Sequence, residues 1–414
     1  MAEFGMVIVG AGEAGARAAV ELRTHGWTGP VTLIGEEKRA PYERPPLSKD
    51  CLVTEEEPST VDIINHRKLA QLDVNFLSGS VVTEIDRNNQ SLILGDGQQI
   101  RYERLLLATG SRPRRLSIEG SDLLSLLYLR TFADAIKIRT QLEPGKHVAV
   151  IGGGFIGLEV AASAIKRGCS VTLVEAGTRI LTRGVPEEIA YMVEARHSEA
   201  GVVFKLGVGI KSIETSDEGH VIALSDGTFV HCDTVIAGIG AIPETSLAAQ
   251  CGLEIENGIR VSEKLATSDP NIFAAGDCCS FPHPLYGGKR IRLEAWRNAQ
   301  DQGTHAARSM LDSIESYAAV PWFWSDQYEQ NLQVIGLVDC GEKTVIRDLG
   351  KNGKLFFHLS TDGRLVAASG IGAASITKDI RIAEILIVKQ VKVESSDLEN
   401  PKVKLKGLLR LQNI

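Results

Sequence analysis

The sequence predicts an α/β protein with two doubly wound domains and a smaller C-terminal α+β domain. Three observations support this fold class: a βαβ pattern with a glycine-rich turn occurs twice, an apolar strand closes each copy, and the C-terminal stretch has strand-like alternation followed by a helical segment near residues 378–388. A chain of 414 residues is also too long for one ordinary core, because a domain commonly holds roughly 100–200 residues.

The first copy of the repeat opens with a short apolar strand at residues 6–9. A glycine-rich turn at 10–15 and an alanine-rich helix to about Arg23 follow it. A second strand at 31–34 then runs into Glu36.

The second copy repeats this order at residues 148–151, 152–157 and 171–174, with a helix to about Arg167 and an acid at Glu175. Apolar strands that end in small-residue turns close both copies, and an Asp-Gly pair in each predicts a hairpin.

Each copy therefore has the pattern of a Rossmann-like unit that binds a dinucleotide. The first glycine permits a tight turn, the second lets the pyrophosphate approach the backbone, and the third lets helix and strand pack closely. The helix N-terminus attracts phosphate, and the acid about 20 residues further on binds the adenosine ribose. Two such units imply two dinucleotides, and hydride transfer between a nicotinamide and a flavin is the economical chemistry.

Composition excludes several classes of protein. A formal charge of −7 and a pI near 5.8 argue against general nucleic-acid binding. Seven cysteines without CxxC spacing indicate reduced thiols in a cell, and no metal-site pattern occurs. No apolar run reaches the ~20 residues of a membrane span, and Glu3 stands where a signal peptide carries basic residues. We expect a cytoplasmic protein.

Residues 267–277 resemble the second FAD fingerprint of the glutathione-reductase-like flavoproteins, in which the final Asp277 binds the ribityl chain. Residues 41–49, 292–299 and 321–327 are similar to signatures of the NADH-dependent ferredoxin reductases of bacterial oxygenase systems, of the putidaredoxin reductase and aromatic-ring dioxygenase reductase type. The resemblance covers essentially the full length of the chain and is weakest at its C-terminal end.

This resemblance implies a discontinuous FAD domain at 1–112 and 243–320, an NAD domain at 113–242 and a C-terminal interface domain at 321–414. It implies hydride transfer from NADH to FAD, then transfer of single electrons to a small acidic [2Fe–2S] ferredoxin that feeds a Rieske-type or cytochrome P450 oxygenase. The protein is expected to be a monomer or homodimer, without a membrane or nucleic-acid partner.

The resemblance also assigns roles to single residues. Lys49 and Glu159 are the predicted catalytic pair, with Lys49 near the reactive edge of the flavin and Glu159 facing it; a helix-capping Glu is the alternative. The predicted FAD-binding residues are Gly10, Gly12, Ala14, Gly15, Glu36, Arg44, Lys49, Val82, Ala108, Thr109, Gly110, Arg130, Asp277, Glu294, Trp296 and Trp324. The predicted NAD-binding residues are Gly152, Gly154, Phe155, Ile156, Gly157, Glu159, Glu175, Arg183 and Gly240.

Other functions stay open at this point. One is a flavin reductase of quinones, monodehydroascorbate or peroxide, which a lone Cys51 in place of a catalytic cysteine pair disfavours. Another is a non-enzymatic NADH-sensing flavoprotein. A basic cluster of Lys289, Arg290, Arg292 and Arg297 predicts a docking rim for an acidic partner, with an ordinary solvated face as the alternative. Alternating lysines at 402, 404 and 406 predict a strand-like tail.

Overall fold

The chain forms two compact units in the computed structural model, which describes residues 4–119, 126–182, 184–217 and 219–409. The first unit consists of Met1–Glu43, Thr60–Arg112 and Ile242–Pro321. The second unit consists of Arg44–Ser59, Pro113–Ala241 and Trp322–Ile414. Packing defines these units, and the FAD, NAD and C-terminal domain boundaries stay a prediction.

A seven-stranded sheet forms the core of the first unit, and the first glycine turn follows its central strand. The strands in spatial order are Val74–Ser78, Val31–Gly35, Gly5–Val9, Gln99–Leu107, Ser91–Leu94 and Val82–Asp86, with Ile272–Ala274 also paired to Gln99–Leu107. Gly5–Val9 is buried along its whole length, as expected of a parallel strand covered on both faces.

The strand Ile272–Ala274 returns the chain to this sheet late in the sequence. It pairs in parallel with Gln99–Leu107, with Ile272 opposite Leu105. The first unit also holds a small sheet of Ile259–Arg260, Cys279–His283 and Lys289–Ile291. Two short strands, Ser111–Pro113 and Ala241–Pro243, lie where the chain crosses from one unit to the other.

Helix packing in the first unit depends on one close contact. A Cβ on Gly303 would lie 2.3 Å from the carbonyl oxygen of Ala14, so only glycine lets these two helices approach. The helices of this unit are Glu13–Thr24, His66–Gln71, Ser246–Gln250 and Trp296–Met310.

The second unit contains a parallel sheet that carries the second glycine turn. Its strands in spatial order are Val202–Leu206, Ser170–Glu175, His147–Ile151, Thr234–Ala237 and Leu126–Tyr128. An antiparallel sheet of Ile210–Ser216, Gly219–Leu224 and Phe229–Cys232 packs beside it. The helices before the C-terminal region are Asp50–Val53, Phe132–Gln141, Phe155–Lys166 and Glu187–Glu199.

The C-terminal region of the second unit is a five-stranded antiparallel sheet with helices. Its strands in spatial order are Trp322–Gln327, Gln330–Gly336, Leu365–Gly372, Gly353–Leu359 and Lys343–Asp348. The predicted helix is present as Ile376–Val388, and Ser395–Glu399 and Leu405–Leu408 follow it. The α/β class with two Rossmann-like sheets and a C-terminal α+β region is confirmed.

The predicted strand-like tail is wrong. The lysine alternation led to it, but Leu405 and Leu408 are both buried at a helical i, i+3 spacing. The buried Arg347 fixes the tail, because its guanidinium donates to the carbonyl oxygens of Asp397 and Leu398, 2.7 and 2.6 Å away. Across the described residues, no helix is both long and apolar enough to span a membrane.

Candidate functional site

The first glycine turn keeps space open for a ligand. Gly10 has a φ of +108°, and a Cβ there would lie 2.1 Å from the Ala108 carbonyl oxygen. A Cβ on Gly15 would lie 1.9 Å from the Gly10 carbonyl oxygen. Gly12 is different, because a Cβ there would meet no protein atom within 4 Å, and as a helix N-cap it offers no capping side chain. Protein packing therefore explains two of the glycines, and open space at a bare helix N-terminus suits a pyrophosphate.

In the second glycine turn, protein packing again requires two of the glycines and leaves the third facing open space. A Cβ on Gly152, where φ is +105°, would lie 2.5 Å from the Gly238 carbonyl oxygen, and one on Gly157 would lie 2.0 Å from the Gly152 carbonyl oxygen. Gly154 again has no protein atom within 4 Å of a built Cβ and is an uncapped helix N-cap. Both turns fit a dinucleotide.

Glu175 stands at the end of its strand with its carboxylate turned toward the second glycine turn. Oε2 accepts a hydrogen bond of 2.7 Å from the Gly153 amide, and Oε1 accepts one of 2.6 Å from the Gly177 amide. A carboxylate offers about four acceptor positions, so capacity is left for ribose hydroxyls. Glu36 follows its strand directly and is exposed, which leaves its carboxylate accessible.

The other predicted NAD residues surround this turn or lie outside the described residues. Phe155 begins the helix and packs edge-on against Phe323, with 5.0 Å between ring centroids. Ile156 is 46% exposed, unusual for a large apolar side chain, and Gly240 has a φ of +106° with open space around it. Arg183 lies outside the described residues.

Lys49 and Glu159 come together in the second unit. Glu159 is 6% exposed, and its Oε1 lies 3.3 Å from the Lys49 ammonium. Ser325 donates to Oε1 at 2.6 Å, and Ser48 donates to Oε2. Since the helix begins at Phe155, Glu159 lies one turn further in than expected, and the first-turn capping role is wrong.

Three serines of this cluster were missed by the sequence argument. Besides Ser48 and Ser325, Ser163 donates to the Ser48 carbonyl oxygen at 2.7 Å. Glu159 and Ser163 are four residues apart and share a helix face, so one helix holds both the side chain and the backbone of Ser48. Two polar residues at this spacing in an apolar helix were the available signal.

Arg44 and Arg130 also meet in the second unit. The Arg44 guanidinium donates to the Arg130 carbonyl oxygen. The backbone there is held because the amides of Arg130 and Thr131 donate to Asp134, which completes a capping box for the helix Phe132–Gln141. The Arg44 side chain, which is predicted to bind FAD, is therefore anchored to the backbone of Arg130, which carries the same prediction.

Trp324 and Trp322 stack on each other, with 4.9 Å between ring centroids and an interplanar angle of 21°. The Lys49 ammonium lies 5.8 Å from the centroid of Trp324, near the outer limit of a cation–π contact. Trp324 thereby joins the Lys49 and Glu159 cluster, and Trp322 serves as its packing partner.

Three of the predicted FAD-binding residues, Thr109, Gly110 and Asp277, lie just beyond the carboxyl ends of strands in the first unit. The Asp277 carboxylate accepts a hydrogen bond of 2.9 Å from Ser111, another residue that sequence reasoning missed. Thr109 donates to the Glu244 carbonyl oxygen at 2.6 Å, and the Gly110 carbonyl oxygen accepts from the Glu244 amide. This edge is where ligands bind open parallel sheets.

The remaining predicted FAD residues of this unit vary in exposure. Ala14 and Ala108 are buried beside the glycine turn. Val82 is buried at the start of its strand, Glu294 pairs with Arg292, and Trp296 begins a helix. The FAD contacts of all the predicted residues stay predictions.

The cysteines do not form a redox pair. All seven are free thiols. Burial, reinforced by the nearby Asp50, raises the pKa of the Cys51 thiol, and burial also raises the pKa of the adjacent Cys278 and Cys279. Raised thiol pKa values oppose the thiolate chemistry of disulfide reductases.

The predicted basic rim is largely compensated by carboxylates. Arg290 lies 3.5 Å from Glu256 and also donates to backbone carbonyl oxygens, and Arg297 lies 2.9 Å from Asp301. With Arg292 paired to Glu294, three of the four cations have an acidic neighbour, which weakens the case for this cluster as a docking rim.

The chain matches two family models that together cover nearly all of it. Residues 4–303 match the model described as "Pyridine nucleotide-disulphide oxidoreductase", and residues 322–409 match "Reductase C-terminal". The ferredoxin–NAD(+) reductase component of the anthranilate 1,2-dioxygenase system of Burkholderia cepacia is 40% identical over 97% of this chain and 98% of the relative. Putidaredoxin reductase of Pseudomonas putida is 37% identical over 98% and 96%.

Solved structures agree with these relatives. The covalent putidaredoxin reductase–putidaredoxin complex superposes with a TM-score of 0.92 at 36% identity, covering 99% of both chains. The ferredoxin reductase for the CYP199A2 system from Rhodopseudomonas palustris has a TM-score of 0.92 at 35% identity, covering 98% of this chain and 99% of that one. The chain is an oxidoreductase that uses FAD and NADH. It belongs to the pyridine nucleotide-disulphide oxidoreductase family, in the group of the ferredoxin–NAD(+) reductases of bacterial oxygenase systems.

Proposed function

We propose that this protein is an NADH:ferredoxin oxidoreductase whose electrons reach an oxygenase through a small acidic [2Fe–2S] ferredoxin. The observation that carries the proposal is the pair of glycine turns, in which Gly12 and Gly154 face open space that protein packing does not require. Two dinucleotide sites in one chain fit FAD and NADH. The named functions of relatives that match over 96–98% of their own length support a ferredoxin as the acceptor.

The catalytic roles follow from charge. When bound, FAD would supply a group able to take up hydride from NADH and to release its two electrons one at a time, which a nicotinamide cannot do. We assign Lys49 the role of a fixed cation at the reactive edge of the flavin, where it stabilises negative charge on the reduced ring. Glu159 holds the Lys49 ammonium in place through its 3.3 Å ion pair. Glu175 receives the adenosine ribose of NADH and disfavours the added phosphate of NADPH.

Further assignments belong to the same proposal. The FAD-binding and NAD-binding residues named from the sequence are proposed for those roles, with Trp324 beside the flavin. Free thiols throughout the chain are consistent with the reducing cytoplasm, where we propose the protein acts.

The test is steady-state turnover of the purified protein with NADH and several acceptors. We expect rapid reduction of a [2Fe–2S] ferredoxin and slow reduction of quinones and peroxide. A preference for quinone or peroxide would overturn the proposal, and so would negligible turnover with every acceptor, the result expected of a sensor. Cys51→Ser is the matched control for thiol chemistry and should leave ferredoxin reduction unchanged.

A further inference from the structure

A chain of buried hydrogen bonds leads away from Glu159 toward the surface of the second unit. Ser325 donates to Glu159, and Gln327 Nε2 donates to the Ser325 hydroxyl at 3.0 Å. Gln327 Oε1 lies 2.7 Å from His197 Nε2, and His197 Nδ1 lies 3.2 Å from the Tyr328 hydroxyl. Ser325, Gln327 and His197 are 1%, 7% and 0% exposed, so water does not compete for these bonds.

The hydrogen bonds of this series all point in the same direction. Because the Gln327 amide nitrogen faces Ser325, its carbonyl oxygen faces His197, which must then carry its proton on Nε2 and accept from Tyr328 on Nδ1. Burial lowers the pKa of His197, in keeping with a neutral ring. Every bond in the series donates toward Glu159, which accepts and does not donate.

This series of hydrogen bonds connects elements that are distant in sequence. His197 lies in the last turn of the helix Glu187–Glu199, while Ser325 and Gln327 share one face of the strand Trp322–Gln327. A buried Gln with both ends of its amide bonded has one orientation, so the Ser325 hydroxyl also has one orientation. Ser325 thereby holds Oε1 of the Glu159 carboxylate, while Ser48 holds Oε2.

We propose that Gln327 and His197 are positioning residues for the NADH-to-FAD reaction: they orient Ser325, which fixes the Glu159 carboxylate and, through it, the Lys49 ammonium. This inference rests on the proposed function, in which Lys49 lies at the flavin edge. The amide of Gln327 does not relay protons, so this series of hydrogen bonds orients side chains and does not conduct protons.

The test combines reduction kinetics with the midpoint potential of bound FAD. Gln327→Met keeps the size of the side chain but removes both hydrogen bonds of its amide group. We expect it to slow FAD reduction by NADH about tenfold, the effect of weakening one hydrogen bond to a charged group, here the bond from Ser325 to the Glu159 carboxylate. The potential should fall, because a looser Lys49 stabilises the reduced ring less. His197→Leu should act in the same direction, while His197→Gln, whose amide nitrogen replaces Nε2–H, should recover most of the rate.

Two controls separate positioning from general destabilisation. His358→Leu removes another buried neutral histidine, bonded to Thr344 and outside this chain of bonds, and should leave rate and potential unchanged. In a Glu159→Gln background, Gln327→Met should change the rate by less than about twofold, because its effect passes through Glu159.

Equal rates and potentials in wild type and Gln327→Met would overturn the inference, as would a full tenfold effect that persists in the Glu159→Gln background. If Gln327→Met does not fold with FAD, Ser325→Ala, which removes only a hydroxyl, is measured with the same two outcomes. A wild-type protein that holds no FAD, or is not reduced by NADH, would instead refute the proposed function.

Discussion

Replacing Glu175 by Ala should weaken the choice of NADH over NADPH. The carboxylate already accepts two backbone bonds, of 2.7 and 2.6 Å, so its position is set before the nucleotide binds. A hydrogen bond to a charged group contributes about 1.5–3 kcal/mol, and losing one bond to the ribose should lower kcat/KM for NADH by roughly 10–150-fold. NADPH should lose little, because removing the carboxylate also removes its repulsion of the 2′-phosphate.

The same substitution has a structural cost that must be separated from its effect on binding. The buried Gly153 amide and the half-buried Gly177 amide lose their acceptor, which costs about 1–3 kcal/mol for a buried donor left unpaired. Glu175→Gln keeps an amide oxygen and should melt closer to wild type than Glu175→Ala. It should nonetheless lose much of the discrimination against NADPH, because the charge is gone.

The assay is steady-state kcat/KM for both nucleotides at saturating ferredoxin, with melting temperatures of the three proteins. If the NADH/NADPH ratio of kcat/KM stays at the wild-type value in both variants, Glu175 does not set the preference.

Substitutions in the second glycine turn and at a buried histidine should have separable effects on stability and on NADH binding. Gly154→Ala should leave the melting temperature near wild type but raise KM for NADH. Gly157→Ala should lower the melting temperature, because its Cβ would lie 2.0 Å from the Gly152 carbonyl oxygen. Equal losses of stability in the two variants would contradict this prediction. Burial lowers the pKa of His358 from 6.5 to about 4. Above about pH 6.5 the histidine is neutral in both the folded and the unfolded protein, and protonation does not affect the free energy of unfolding. As the pH falls from 6.5 toward 4, protonation of the unfolded state lowers the free energy of unfolding by a total of about 3 kcal/mol. Urea unfolding at pH 7 and pH 5 should therefore show a shallower pH dependence for His358→Leu than for wild type, and parallel curves would refute the linkage.

Local patterns in the sequence were sufficient to predict the central strands and the glycine turns of the two Rossmann-like sheets. The strand, glycine turn, helix and acid of each copy lie within about 30 residues, so their order can be predicted without tertiary information. The C-terminal tail was the failure, because lysine alternation on a solvated segment carries less energy than burial of Leu405 and Leu408.

The cluster around Glu159 could be predicted only in part. Lys49 and Glu159 came from the resemblance, but Ser48 and Ser325 lie 111 and 166 residues away from Glu159 in sequence. No periodicity links a serine to a carboxylate over such distances. The Gln327 and His197 bonds were invisible for the same reason, since each of these residues taken alone has the character of an ordinary core polar group.

In the proposed function, one polypeptide holds FAD and reduces it with NADH, and the electrons pass to a ferredoxin. The most direct measurement is an anaerobic titration of the purified protein with NADH, followed by addition of oxidised [2Fe–2S] ferredoxin, with flavin absorbance recorded throughout. We predict a yellow protein that is bleached by about one equivalent of NADH and recovers its colour as about two equivalents of ferredoxin are reduced, because hydride carries two electrons and the ferredoxin accepts one. A colourless preparation that cannot retain FAD, or a flavin that stays oxidised with NADH, would contradict this function.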